Sequence, residues 1–226
     1  MEGRGAWTTR GKGNEEKLYT RLPHAPRDGA DPNSLVTEEE LNWYKCVNRG
    51  VTAIQRKLGI ESPSGHYGWS TARKVKEFQN AKGLYADGVV GPITAEALLR
   101  PVILGNSKRM SIHPRWIFGL ARQESGLDPG AQGWTTPADS GIWQFNTEYF
   151  PIEDAFNIDI AANQVCKRWA ASWIKYHTSN DQLRTDCCII QHRSPAAADH
   201  LFATGNPYND SAKEYVDSVR SLAGSW

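Results

Sequence analysis

The chain has 226 residues, of which 39% are hydrophobic, and a formal net charge of +1. This length can bury a sizeable core, in one domain or in two small ones, and the near-zero charge gives no electrostatic reason to expect nucleic-acid binding. No apolar run of about 18 residues predicts a membrane-spanning helix, and the N-terminus lacks the apolar segment of a secretory signal.

The four cysteines and six histidines show no spacing typical of a metal site. We therefore expect neither a metal nor a cofactor. Cys46, Cys166, Cys187 and Cys188 also fit no disulfide framework, so the sequence favours buried free thiols. Free thiols are typical of a protein made in a reducing cytoplasm.

Residues 1–34 are rich in glycine, proline, arginine and lysine and have no sustained apolar period. This composition predicts a flexible N-terminal arm. Its basic side chains could contact anionic phosphate groups of a cell envelope, but a plain flexible arm is the simpler interpretation. We assign the arm no function.

Residues 35–100 have the pattern of short helices separated by glycine-rich turns. A helical stretch at residues 51–58 is followed by two similar segments, GHYGWST at 65–71 and GVVGPIT at 88–94. In each segment two glycines flank a hydrophobic residue, and a threonine, Thr71 or Thr94, is placed to cap the next helix. We expect those two helices over residues 72–82 and 95–99.

This region resembles the three-helix peptidoglycan-binding module that is often fused to cell-wall hydrolases. The matching runs are IQRKLG at 54–59, FQ at 78–79 with GL at 83–84, and DGVVGPIT at 87–94. Ser64 departs from the aspartate that is common in the first repeat. The resemblance implies that the glycine-flanked loops bind glycan or stem peptide, with Tyr67, Trp69 and Val90 as the candidates by position. The alternative is that these side chains fill the small core.

Residues 101–109 are interpreted as a short linker or as the entry to a domain, after which a catalytic segment begins. Its first helix has apolar residues at helical spacing from Trp116 to Ala121 and ends at Gly126, which places Glu124 in the last turn. Helix carbonyls at that end carry partial negative charge and disfavour a carboxylate. We therefore expect Glu124 to hold a proton and act as a general acid. The alternative is a solvated glutamate near a helix end.

Glu124-Ser125 is followed by SGIWQF at residues 140–145. These two motifs resemble the lysozyme-like fold of soluble lytic transglycosylases and goose-type lysozymes, where Glu-Ser at a helix end precedes a Gly-x-x-Gln segment that borders the sugar cleft. The resemblance implies a mainly α chain, with a small three-helix wall-binding domain at 35–100 and a lysozyme-like catalytic domain at 101–226. It implies that Ser125 and Gln144 bind the acetamido sugar or hold Glu124, and that Trp143 stacks on a sugar or packs beneath the cleft. Tyr149 is a further candidate.

Three later helices are predicted over residues 158–177, 182–191 and 211–222. The family usually has a Tyr-Asn pair late in the domain and often a Tyr-Val pair in the final helix. Here Gln191-His192 stand in the first place, which is a departure, and Tyr215-Val216 match the second. Gln191, His192 and Tyr215 are therefore substrate-site candidates, although each could equally be an ordinary helix-end or packing residue.

The mechanism depends on a second carboxylate, because hydrolases generally pair an acid with a nucleophile or a base. Asp139 directly precedes the SGIWQF motif and could position a water, which would make the enzyme a muramidase. Otherwise the resemblance implies a single-acid route. Glu124 protonates the glycosidic oxygen and then takes the proton of the C6 hydroxyl as a 1,6-anhydro ring closes.

These observations lead us to expect a phage endolysin that cleaves the MurNAc–GlcNAc β-1,4 bond of peptidoglycan and lyses bacteria. We expect a monomer that binds bacterial peptidoglycan, binds no nucleic acid and inserts into no membrane. It would stay in the host cytoplasm until its release to the cell wall. The alternatives are a virion-associated lysin, a bacterial autolysin, or a wall-binding protein with an inactive lysozyme-like domain.

Overall fold

A computed structural model of the chain describes residues 49–132 and 139–224. Over these residues the fold is mainly α, as the sequence predicts, and no helix among them is long and apolar enough to cross a membrane. A short antiparallel pair, β1 (Asp139–Ser140) and β2 (Phe145–Asn146), is joined by a tight turn. The helices are α1 (49–57), α2 (Trp69–Ala81), α3 (Pro92–Arg109), α4 (Pro114–Ser125), α5 (Ile152–Ala155), α6 (Ile158–Lys175), α7 (Asp181–Arg193), α8 (Pro195–Thr204) and α9 (Asp210–Ala223).

The described residues form two compact units. The first contains residues 49–100, 125–132 and 139–158, and the second contains 101–124 and 159–224. The domain boundaries that the sequence places at residues 34 and 100 stay predictions. The predicted N-terminal arm and Cys46 lie outside the described residues.

A buried glutamine in α1 holds the loop that precedes α2. The Gln55 side-chain amide donates to the carbonyl oxygen of His66 and to the hydroxyl of Thr71, both at 2.9 Å. Its own oxygen accepts the backbone N–H of Gly65 at 2.9 Å. Because a buried amide is costly unless its donors and acceptor are paired, these bonds fix the loop to the helix.

The same arrangement recurs in α2, where Gln79 holds the loop before α3. Its amide donates to the carbonyl of Val89 at 2.8 Å and to the hydroxyl of Thr94 at 3.0 Å, and its oxygen accepts the N–H of Gly88 at 2.9 Å. Asp87 accepts a further bond from this amide at 2.8 Å. The sequence repeat is therefore also a repeat of hydrogen bonds.

The predicted capping roles of Thr71 and Thr94 are wrong. The two helices begin earlier, at Trp69 and Pro92, and Gly68 at the N-cap of α2 makes no side-chain capping bond. Both threonine hydroxyls are instead buried and accept hydrogen bonds from the glutamine amides. Each threonine is therefore part of the hydrogen-bond network around a buried glutamine. A rule for helix caps considers only neighbouring residues and does not predict such a network.

Of the two interpretations of residues 101–109, the linker is wrong, because α3 continues through them to Arg109. Proline is unfavourable inside a helix, which is why the sequence suggested an interruption at Pro101. Pro101 lies on the exposed side of α3, whereas Leu99 and Ile103 on either side of it are buried. Burial of that apolar face outweighs the local cost of the proline.

The second unit is built around the close approach of α4 and α9. A Cβ atom on Gly119 would lie 2.9 Å from the carbonyl oxygen of Val219, so only glycine fits at this contact. Trp116 of α4 stacks on Trp169 of α6 with ring centroids 6.1 Å apart. The fully buried apolar residues of α4 and α7 complete this core.

Helix α8 is absent from the sequence prediction, which ends one helix near residue 191 and resumes at 211. Ser194 ends α7 and also caps α8, since its hydroxyl accepts the N–H of Ala197 at 3.3 Å, and Pro195 occupies the first position. Gly205 ends α8 in the left-handed conformation. The cap, the proline and the glycine were visible signals, but the alanine-rich stretch between them has little polar alternation.

The three described cysteines, Cys166, Cys187 and Cys188, are free and buried, as the sequence predicts. Burial raises the pKa of Cys166 to about 11 and that of the other two thiols to about 12. All three sulfur atoms therefore behave as apolar packing groups near neutral pH.

Candidate active site

Glu124 lies at the C-terminal end of α4, where the sequence places it. Residues 117–121 of this helix are buried and fix its orientation, and Gly126 follows with φ of 66°. The Glu124 side chain is 18% exposed, so it is largely shielded but still reachable. This position combines a rigid support with access to solvent, as a proton donor requires.

Tyr215 of α9 donates a hydrogen bond from its hydroxyl to Oε1 of Glu124. Tyr215 is only 5% exposed. Burial first, and then the charge of Glu124, hold the pKa of this phenol far above its usual range. The hydroxyl therefore keeps its proton and stays a donor throughout the ordinary pH range.

Three consecutive residues at the end of α7 have different surroundings. His192 places Nε2 at 4.0 Å from the same Oε1 of Glu124, and its side chain is 6% exposed. Arg193 lies over the ring of Tyr215, with its guanidinium carbon 5.2 Å from the ring centroid. Gln191 instead contacts the hydroxyl of Tyr176 through its amide oxygen.

Tyr176, the residue that follows α6, contacts Gln191 and also belongs to a polar cluster with Lys175 of α6 and Asp199 of α8. Its hydroxyl also donates to Oδ1 of Asp199 at 2.8 Å, and Lys175 lies 2.5 Å from that carboxylate oxygen. Burial raises the pKa of Tyr176 to about 12, so this hydroxyl also remains protonated. The structure thus places His192 and Tyr215 at Glu124 and gives Gln191 a neighbouring structural contact.

Ser125 and the β1–β2 turn belong to the first unit. The Ser125 hydroxyl donates to the carbonyl of Ile142 at 2.8 Å and accepts the N–H of Asp128 at 3.1 Å. These bonds tie Ser125 to the β1–β2 turn, and its role towards Glu124 or an acetamido sugar stays a prediction. Gln144, with φ of 48°, donates its amide to the carbonyl of Gly141 at 2.8 Å.

Gly141 of the Gly-x-x-Gln motif has a steric role. Its φ is 75°, and a Cβ atom there would lie 2.1 Å from the carbonyl oxygen of Ala155. Trp143 is fully buried, so of the two roles that the sequence left open the structure favours packing. Tyr149 is 76% exposed, and Asp139 is half-buried on β1, opposite Asn146.

The three wall-binding candidates separate into core and surface. Tyr67 and Val90 are buried, and the Tyr67 hydroxyl donates to the carbonyl of Gly88 at 2.7 Å, which joins the two repeated loops. Burial assigns these two to the core, the alternative that the sequence left open. Trp69 is 84% exposed at the start of α2. Tyr85 and Ile93 are equally accessible apolar side chains that the sequence did not single out.

Among residues 49–132 and 139–224, no group of histidine, cysteine, aspartate and glutamate side chains could hold a metal ion. The fold and the described site instead define a mainly helical protein with a largely buried carboxyl group held by a phenol. Proton transfer by a carboxylic acid in such a setting is the chemistry of glycosidases.

Comparison with known protein families gives two matches within the chain. A family model described as a peptidoglycan binding domain matches residues 49–98, and the transglycosylase SLT domain matches residues 101–152. The two matches show the order of a peptidoglycan-binding domain followed by an SLT domain, and the SLT domain supports a peptidoglycan lytic transglycosylase that acts on glycosidic bonds. The SLT match includes Glu124, Ser125 and Gln144. No curated protein and no solved structure gave a significant match.

Proposed function

We propose that Glu124 is the single acid and base of this lytic transglycosylase and that it cleaves the MurNAc–GlcNAc β-1,4 bond. The observation that carries the proposal is the hydrogen bond from Tyr215 to Oε1 of Glu124, at the end of the helix that the SLT match covers. A carboxyl group anchored through one oxygen presents the other oxygen for proton transfer. We therefore assign the transferable proton to Oε2.

In the first step, Oε2 of Glu124 gives its proton to the glycosidic oxygen as the bond from that oxygen to the anomeric carbon breaks. The acetamido oxygen of the same sugar assists at the anomeric carbon, so no second carboxylate is needed. Tyr215 stabilises the charge that develops on the carboxylate, because its hydroxyl remains a donor.

In the second step, the Glu124 carboxylate removes the proton of the C6 hydroxyl. The C6 oxygen bonds to the anomeric carbon and displaces the acetamido oxygen, which closes a 1,6-anhydro ring. Glu124 is protonated again at the end of the cycle and no water is consumed. Using one residue first as acid and then as base follows from the reversibility of proton transfer.

Exchange of Glu124 for glutamine tests this proposal. Glu124→Gln keeps the shape and the Tyr215 contact but carries no acidic proton. We expect the release of soluble fragments from purified peptidoglycan to fall by about 10²–10⁴-fold, the usual contribution of general acid–base catalysis. Glu214→Gln is the matched control, because Glu214 is exposed on α9. A Glu124→Gln variant that releases fragments as fast as the unchanged protein would contradict the catalytic role of Glu124.

The alternative is that the enzyme is a hydrolytic muramidase, in which Asp139 positions the attacking water. Asp139 lies on β1 next to the SLT motif residues. Products that carry reducing MurNAc ends would support it. Products with 1,6-anhydro ends would leave Asp139 a structural residue of the β1–β2 pair.

We further propose that the protein acts as a phage endolysin, an antimicrobial lysin held in the host cytoplasm as a monomer. The joining of a wall-binding domain to a glycosidic-bond-cleaving domain supports this role, and the free thiols suit a reducing compartment. Trp69 is the exposed side chain that we assign to glycan contact, since an aromatic face stacks well on sugar rings. Lysis of an expressing bacterium only after its inner membrane is permeabilised is the expected behaviour.

A further inference from the structure

Oε1 of Glu124 is approached by side chains from two different helices. Tyr215 reaches it from α9 as a hydrogen-bond donor, and His192 reaches it from α7 with Nε2 at 4.0 Å. Both side chains are nearly buried, so neither is free to turn towards bulk solvent. A carboxylate oxygen can accept more than one hydrogen bond, so Tyr215 and His192 can both donate to Oε1.

At 4.0 Å, Nε2 of His192 lies beyond hydrogen-bond distance of Oε1 of Glu124. Catalytic hydrogen bonds are often long in an unliganded protein and shorten when substrate binds. Contacts of the two neighbouring residues hold the end of α7, so only a small shift of the His192 side chain is needed to shorten this distance. Gln191 is anchored by Tyr176, and Arg193 covers the ring of Tyr215. The titratable and charged groups gathered here are thus His192 and Arg193 on α7 and Tyr215 on α9, around Glu124.

We propose that His192 is a positioning residue for Glu124, which donates its Nε2–H to Oε1 as the carboxylate forms. His192 and Tyr215 then both donate hydrogen bonds to Oε1, which keeps the transferable proton on Oε2. The inference rests on the proposed function of Glu124. It departs from the sugar-binding role that the position of His192 in the sequence suggested, because the side chain addresses the acid itself.

This role makes a distinct kinetic prediction. Negative charge on Glu124 develops after substrate has bound, in the first transition state and in the intermediate that follows, so a donor to Oε1 acts on kcat and leaves KM unchanged. A residue that binds the sugar would instead change KM. The two donors also share one oxygen, so their removal should not be additive.

The test is a double-mutant cycle with soluble, uncrosslinked glycan strands as substrate. We expect His192→Phe and Tyr215→Phe each to lower kcat by about 10–100-fold with KM unchanged. The kcat of the double variant should lie no more than about threefold below that of the slower single variant. His192→Gln, which keeps a nitrogen donor at the reach of Nε2, should recover most of kcat. His200→Phe, the same exchange on α8 where His200 contacts Tyr208, is the control and should keep full activity.

Three outcomes would overturn the inference: an increase in KM at constant kcat for His192→Phe, multiplicative losses in the double variant, or a His192→Gln variant as slow as His192→Phe. If His192→Phe does not fold, His192→Asn replaces it, because its shorter side chain cannot place a donor at the Nε2 position. Glu124→Gln is assayed in parallel. Full activity of Glu124→Gln contradicts the proposed function, whereas an inactive Glu124→Gln beside a fully active His192→Phe contradicts only the role of His192.

Discussion

The three buried thiols show how burial sets the chemistry of single residues. Cys166 has no exposed surface, and its pKa of about 11 is raised chiefly by burial, against the opposing effects of the nearby Ser107 hydroxyl and the charge of Arg109. A thiol in the unfolded chain ionises near pH 8.5. The unfolded state therefore gains thiolate at a pH where the folded state does not.

This difference predicts a loss of stability at alkaline pH. The contribution of Cys166 is fully present below about pH 8.5 and is lost as the pH rises towards 11, at about 1.4 kcal/mol for each pH unit. Between pH 8 and pH 10 the free energy of unfolding should fall by about 2 kcal/mol more in the unchanged protein than in Cys166→Ala. Urea unfolding at both pH values measures this, and equal losses in the two proteins would show that the thiol is not protected.

The surroundings of Glu124 show what the sequence can and cannot supply at this scale. Helical spacing, the Gly126 terminator and the Glu-Ser motif are local, and they correctly place Glu124 at the C-terminal end of α4. Tyr215 lies 91 residues further along the chain, so only a family motif could suggest it. The approach of His192 to Oε1, and the contact of Arg193 with the Tyr215 ring, depend on how α7 and α9 pack and leave no local signal.

At the scale of elements, apolar periodicity predicted α2, α4, α6, α7 and α9 to within a few residues. The failures have separate physical causes. Pro101 is tolerated because the apolar residues beside it are buried, and Thr71 and Thr94 serve glutamines rather than helix ends. The burial of Gln55 and Gln79 was not foreseen either, since a glutamine at helical spacing has the same pattern whether it faces solvent or core.

The repeated glutamine network allows a matched pair of substitutions. Gln79→Glu would place a carboxylate against Asp87, which accepts the Gln79 amide at 2.8 Å, whereas Gln55→Glu would face Ser64, whose hydroxyl lies 3.4 Å away. Both variants lose buried donors. We expect Gln79→Glu to cost about 3–5 kcal/mol of unfolding free energy, and Gln55→Glu about 1–2 kcal/mol less, because only the first adds repulsion between like charges.

Urea denaturation of the two variants, with the unchanged protein beside them, measures this difference. Lowering the pH to about 4 should narrow the gap, since protonation of a carboxylate removes the repulsion. Equal costs at neutral pH would mean that Asp87 does not make the second loop different from the first.

For the whole molecule, two tasks lie in successive segments of one chain. Residues 49–98 match a domain that binds the wall polymer, and residues 101–152 match a domain that cuts it. Binding raises the local concentration of the enzyme at an insoluble substrate without changing the chemistry at Glu124. The function of the whole molecule therefore depends most on the reaction that we propose for Glu124.

The most direct measurement is mass spectrometry of the soluble fragments that the protein releases from purified peptidoglycan in ¹⁸O-labelled water. The single-acid mechanism consumes no water, so we expect fragments that end in 1,6-anhydroMurNAc and contain no ¹⁸O at that end. Reducing MurNAc ends that are heavier by one labelled water would contradict it. That result would show hydrolysis and make Asp139 the next residue to exchange.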